Sequence, residues 1–197
     1  YPEATRNERG IGYLMRNFSW PYGFPSHSNP GTPGVILEGG ELGYALSTSF
    51  GAVLDNPDLI VACLIGDGEA ETGPTAAAWH LNKFLNPKSD GAVLPILHLN
   101  GYKISGPTIF GRMSKRELRS LFYGYGYEPH FVEGSGDKIY HRMIDVADAC
   151  YQKIREIQSR ARNGEASVSP RFPMIVLVTP KGWTGIRKLR GKKIEDN

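Results

Sequence analysis

LIVACLIGDGE, residues 59–69, decides how this chain is read. Its seven apolar residues, Leu59 to Ile65, form the continuous run expected of a parallel strand buried on both faces. The run empties into Gly66, Asp67 and Gly68, one carboxylate between two residues without side chains. A second such run, Val93 to Leu99, ends at Asn100. In open α/β sheets ligands gather outside the carboxyl ends of the strands, so the Asp67 carboxylate and the Asn100 carboxamide are expected to converge there. A carboxylate repels a phosphate unless a cation lies between them. Magnesium takes hard oxygen ligands in near-octahedral array and leaves positions for phosphate oxygens and water. Asp67, the Asn100 side-chain oxygen and a backbone carbonyl just past Asn100 would supply three, with backbone N–H groups of Gly68 and Glu69 turned toward the anion. The bland alternative is a tight turn in which the glycines only permit positive φ. The flanking strand, the helix that follows and Asn100 at the next strand end favour the magnesium–diphosphate site.

Working outward, apolar residues at 11, 14, 15 and 18 predict a short helix over 11–20, and the Pro/Gly/Ser/Asn-rich stretch 21–33 predicts loop. A helix is expected from Glu41 to about Val53, ended by the Asp55–Asp58 segment. An alanine-rich helix is expected over 74–85 with Pro74 in its first turn. Ser114 and Glu117 form a capping box opening a helix of about three turns. A short strand over 128–133, a long helix over 139–161 and a third apolar strand over 174–178 complete the pattern. Strands alternating with helices mean an α/β fold with a mainly parallel sheet. The natural prior for 197 residues is one domain.

Composition narrows the function. Net charge is +3, from 23 basic and 20 acidic residues that are fairly interspersed, so nothing points to nucleic acid. The richest basic patch, Arg187 to Lys193, reads as a solvated tail. Cys63 in a strand and Cys150 in a helix read as core thiols, which fits a reducing compartment. No apolar run reaches the ~18 residues of a membrane span, and no signal peptide opens the chain. A cytoplasmic protein is expected. The polar ends, Tyr1 without methionine and Glu195 to Asn197, lead us to expect a piece of something longer.

Other candidates carry weaker signals. His27 sits in a loop rich in Pro and Ser, free to point into a cleft, although a surface histidine is the commoner outcome. His98 shares a strand face with Asn100 and reads as a satisfied core imidazole. His80, His130 and His141 have no supporting context, and no histidine pair has zinc-ligand spacing with a third donor. Lys181 follows the third strand at its carboxyl end and could meet a phosphate or simply be exposed. Glu69 and Glu71 read as favouring the positive end of a helix. The aromatics of 122–127 read as packing. Gly39, Gly40 and Gly43 superficially resemble a dinucleotide fingerprint, which requires glycine at 38, where this chain has Glu38. A nicotinamide oxidoreductase is therefore the lesser alternative.

Asp67 and Asn100 in this setting resemble the thiamine-diphosphate motif, with a slightly long separation and Gly101 in place of the second Asn often seen. The stretch from Gly66 to Pro74, with Trp79, His80, residues 82–87 and 90–104, resembles phosphoketolase specifically. So do Pro25 to His27, Glu38 to Tyr44, Gly124 to Pro129, and Pro180 to Gly185. The resemblance covers nearly the whole chain. It implies a thiamine-diphosphate-binding fold similar to that of transketolases and cleavage of xylulose 5-phosphate or fructose 6-phosphate with inorganic phosphate, giving acetyl phosphate and an aldose phosphate. It implies Asp67, Asn100 and the Tyr102 carbonyl as Mg²⁺ ligands; Gly66, Gly68 and Glu69 at the diphosphate; Gly40 and Leu42 at the aminopyrimidine; Ile104 against the cofactor's apolar bend; Lys181 in a phosphate pocket; and His27 at the reacting carbon. It also implies that residues 1–197 are one incomplete diphosphate-binding domain, completed by a pyrimidine-binding domain, usually in a homodimer. A chain of this extent is then inactive alone. A non-catalytic module that holds magnesium–diphosphate is the alternative from another class.

Overall fold

The computed structural model describes residues 2–5, 7–37, 40–165, 170–185 and 188–194. They form two compact units, Tyr1–Leu42 and Gly43–Asn197.

In the first unit, helix α1 spans Glu8–Asn17. Asn7 opens it, its side chain accepting the Gly10 N–H at 3.1 Å. The helix predicted over 11–20 thus starts earlier and stops sooner. Ser19 has a left-handed φ of 54°, which a helix does not accommodate. The chain doubles back so that Phe18 bridges Phe24, their rings edge to face at 5.9 Å. Residues 21–33 are loop, as predicted.

The second unit holds a four-stranded parallel sheet, β1 (Ile60–Gly66), β2 (Ala92–Leu99), β3 (Tyr127–Glu133) and β4 (Phe172–Val178), in the order β1-β2-β4-β3. Helices alternate with the strands, which makes this an α/β fold. Helix α2 (Ala45–Val53) packs on β1 and β2. It begins four residues later than predicted because Gly43 has a φ of +106°, outside the helical range. Glu38 and Gly39, the start of the glycine-rich stretch, lie outside the described residues.

After β1 comes a short helix, α3 (Asp67–Ala70), then α4 (Gly73–Ala78) with proline in its first turn. The single helix predicted over 74–85 is instead α4 followed by a tighter 3₁₀ segment, Trp79–Lys83, a common way for a helix to end. Trp79 is fully buried; its indole N–H donates to the Ala70 carbonyl at 3.0 Å. Phe122 and Tyr127 meet it edge to face at 5.0 and 5.8 Å, so these aromatics pack, as predicted. Helix α5 (Lys115–Tyr125) opens with the predicted capping box of Ser114 and Glu117 and closes at left-handed Gly126. Helix α6 (Asp137–Arg162) packs on β3 and β4.

Two expectations need correction. β1 is an edge strand, and only alternate residues such as Cys63 and Ile65 are buried; Leu64, on the other face, is 65% exposed. An unbroken apolar run does not reveal that one face is exposed among the described residues. The basic segment read as a solvated tail is exposed but ordered: Lys188–Leu189 (β5) pairs antiparallel with Lys192–Lys193 (β6) around left-handed Arg190 and Gly191. Arg187 lies outside the described residues. Cys63 and Cys150 are buried free thiols, and burial pushes each up to about 11. No helix among the described residues is long and apolar enough to cross a membrane.

Candidate functional site

Parallel pairing sets Gly66, the last residue of β1, beside His98 of β2. Asp67 and Asn100 therefore leave neighbouring strand tips. Neither Gly66 nor Gly68 is among the glycines with positive φ, so a left-handed turn does not explain this motif. Gly66 is extended and Asp67 is the first residue of α3. A Cβ on Gly68 would crowd the Lys103 Cγ at 3.2 Å, so the lysine stem would have to shift slightly.

Asp67 is 2% exposed, and its carboxylate is tied to the loop that follows β2. Its Oδ2 accepts the Gly101 N–H at 2.7 Å and the Thr108 hydroxyl at 3.0 Å. Its Oδ1 accepts the Gly68 N–H at 3.0 Å. The loop is itself tightly closed. Thr108 N–H donates to the Gly101 carbonyl at 2.9 Å, Tyr102 bridges Pro107, and Lys103 N–H donates to Gly106 at 2.7 Å. The Thr108 hydroxyl also accepts the Gly111 N–H at 3.0 Å. At the base of the loop two glycine backbones touch, because a Cβ on Gly111 would lie 2.6 Å from the Gly101 Cα. Gly101 has a φ of +86°, so glycine at this position suits the turn.

Asn100 Oδ1 accepts the Tyr102 N–H at 2.9 Å, which folds its side chain back over the loop. Each carboxylate or carboxamide oxygen has two acceptor positions. Asp67 Oδ1 and Asn100 Oδ1 each accept one of the hydrogen bonds described, which leaves an acceptor position on each. This all-oxygen set fits a hard divalent cation. Among the described residues no group of three His, Cys, Asp or Glu side chains could hold a metal, so a cation here would depend on one carboxylate and neutral oxygens.

Of the other candidates, Lys181, Ile104 and His98 belong to the same unit as this corner. The Lys181 ammonium reaches the Lys103 carbonyl at 3.3 Å and lies 5.9 Å from the centre of the Tyr102 ring. Ile104 is 96% exposed at the loop tip. His98 is half-buried, its Nε2 2.8 Å from the Thr179 hydroxyl. Burial pushes its pKa down, opposed by the Asp67 charge, and the ring is a partnered imidazole. His27, Gly40 and Leu42 belong to the first unit; His27 is exposed, with Nδ1 3.0 Å from the Ser26 hydroxyl.

The two glutamates after Asp67 were underread. Glu69 Oε1 accepts the Gly43 N–H at 2.8 Å, holding the approach to α2. The Glu71 side chain is 2% exposed; its Oε2 accepts the Phe110 N–H at 3.1 Å and its Oε1 lies 2.8 Å from the Lys103 ammonium. Both are tertiary ties rather than solvated helix-end charges. Thr108 and Gly111 also escaped notice. Their only signal is a Gly/Ser/Pro-rich loop directly after the strand that ends in Asn100.

The family model for the XFP N-terminal domain matches residues 1–197. Curated relatives named probable phosphoketolase are 61% identical over 197 residues in Bradyrhizobium diazoefficiens and 59% identical over 197 residues in Gloeobacter violaceus, covering 99% and 100% of this chain. The chain spans about a quarter of the length of these relatives, 25% in each case. Among solved structures, a transketolase from Campylobacter jejuni is similar with a TM-score of 0.51 and 18% identity, over 90% of this chain and 26% of the other; this likeness bears on the fold alone. The chain belongs to the XFP N-terminal domain family.

Proposed function

We propose that this chain is the diphosphate-binding part of a thiamine-diphosphate-dependent phosphoketolase. In this reading the full-length protein cleaves xylulose 5-phosphate or fructose 6-phosphate with inorganic phosphate. The observation that carries it is the buried Asp67 carboxylate, bonded to Gly101 and Thr108 so that the tips of β1 and β2 form one corner. Family membership supplies the reaction class, and the spare acceptor positions on Asp67 and Asn100 supply the chemistry a magnesium ion would need.

Asp67, Asn100 and the Tyr102 carbonyl would hold Mg²⁺. Gly66, Gly68 and Glu69 would lie against the diphosphate through their backbone. Gly68 N–H already serves Asp67, so it would have to share its hydrogen. Gly40 and Leu42 would contact the aminopyrimidine, and exposed Ile104 would gain an apolar partner in the cofactor's bend. Thiamine diphosphate, when bound, supplies the carbon nucleophile and the electron sink that a polypeptide lacks. The protein's part is to orient it and to move protons, with His27 near the reacting carbon and Lys181 in a phosphate pocket. In this reading residues 1–197 are one incomplete diphosphate-binding domain. A pyrimidine-binding domain elsewhere in the full-length protein completes the site, in a cytoplasmic homodimer.

Calorimetry on the full-length protein tests this. Thiamine diphosphate should bind with an affinity that depends on magnesium, and Asp67→Ala should abolish the magnesium-dependent part. Unchanged affinity in a folded Asp67→Ala protein overturns the assignment.

A further inference from the structure

Asp67 is not the only carboxylate that fastens the loop after β2. Glu71, one helical turn further on, makes a second attachment at both ends of the same loop, to the Lys103 ammonium near its start and to the Phe110 N–H near its end. Its side chain is 2% exposed, whereas that of Lys103 is 45% exposed. Among the described residues Oε1 has no well-directed hydrogen bond, so the Lys103 charge is what faces it. A buried carboxylate with one cationic neighbour holds that neighbour firmly, because separation would leave a charge unpaired in a poorly solvated place.

The path between them is specific. The Lys103 stem passes over Gly68, where a Cβ would meet Cγ at 3.2 Å, before the ammonium reaches Glu71. Lys103 is next to Tyr102, and its own carbonyl takes the Lys181 ammonium at 3.3 Å. The pair thus spans the helix start after β1 and holds the segment that carries the Asn100 and Tyr102 oxygens.

We propose that Glu71 and Lys103 are positioning residues that set the Asn100–Tyr102 oxygens for a divalent cation. Neither touches the cation. This rests on the magnesium reading above, and ties to groups around a metal's ligands commonly change affinity by about tenfold or more.

The test is thiamine diphosphate binding to the full-length protein, titrated with Mg²⁺, for Glu71→Gln, Lys103→Met, the double variant and Asp67→Asn. Glu71→Gln keeps an acceptor for Phe110 N–H and removes the charge facing Lys103. The magnesium concentration for half-saturation should rise about tenfold in each single variant and no further in the double. The double variant leaves no unpaired buried charge, which keeps the test valid if Lys103→Met folds poorly. A wild-type magnesium requirement in folded Glu71→Gln, while Asp67→Asn loses binding, overturns the positioning role and leaves the magnesium reading intact. Independent, multiplying effects in the double variant also overturn it. Wild-type binding by Asp67→Asn overturns the magnesium reading and this proposal with it. A purely structural role would lower the unfolding temperature without moving the magnesium requirement.

Discussion

A methyl group at position 111 would lie 2.6 Å from the Gly101 Cα, and 2.9 Å from the Gly101 carbonyl oxygen and the Thr108 hydroxyl. Two of these are backbone atoms that cannot rotate aside. Gly111→Ala should therefore cost about 1–3 kcal/mol in urea unfolding, the usual price of overpacking, and should weaken magnesium-linked cofactor binding. Cys63 gives a second prediction at this scale. Burial raises its thiol to about 11, opposed by a hydrogen bond with Ser49. A thiol reagent should leave native Cys63 unlabelled at pH 8 and react once urea unfolds the chain. A raised folded pKa means that the stabilisation is complete below the ordinary thiol value of 9 and is lost as pH rises through 11. Cys63→Ser should lessen the alkaline decline, leaving the share that belongs to Cys150; an identical pH profile would count against it. Asp67 and Asn100 were legible because each closes an apolar run at a strand's carboxyl end. Glu71 was not, because its partners, Lys103 and Phe110, are far along the chain and nothing in its own neighbourhood signals burial.

Elements were legible where local chemistry is explicit. The Ser114 hydroxyl accepts the Glu117 N–H at 3.3 Å while the Glu117 carboxylate accepts the Ser114 N–H at 2.7 Å. The Ser114 hydroxyl also donates to the Glu117 carboxylate at 2.7 Å, and this bond, with that from the Ser114 N–H, holds the Glu117 carboxyl below its ordinary value. Ser114→Ala should lower stability by about 1 kcal/mol, read from the shift in the urea midpoint. The part of this advantage that comes from the ionised Glu117 is present above the ordinary Glu value of 4.5 and fades as pH falls below it, so the gap between the wild-type and Ser114→Ala curves should narrow in acid. Strand β3 was harder to read, since Glu128, Pro129 and His130 interrupt its apolar pattern; pairing with β4 along its length makes it a full strand. The start of α2 was misplaced because Gly43's positive φ is a backbone property that helical periodicity does not encode.

At the scale of the molecule, β-sheet order and sidedness came only from the structure, since apolar runs announce strands without saying which is an edge. In the divided-site reading, residues 1–197, which span 25% of the length of their curated relatives, should not turn over fructose 6-phosphate by themselves. Acetyl phosphate formation by this chain alone, measured as the hydroxamate, would overturn the divided-site reading. The bare face of β1 adds a further consequence. Its outer edge has no strand beside it among the described residues, and Leu64 stands out from its exposed face at 65% exposure. Such an edge invites pairing with another copy. Preparations of the excised segment should thus grow turbid as they are concentrated, and a lysine in place of Leu64 should keep them clear without disturbing the corner at Asp67.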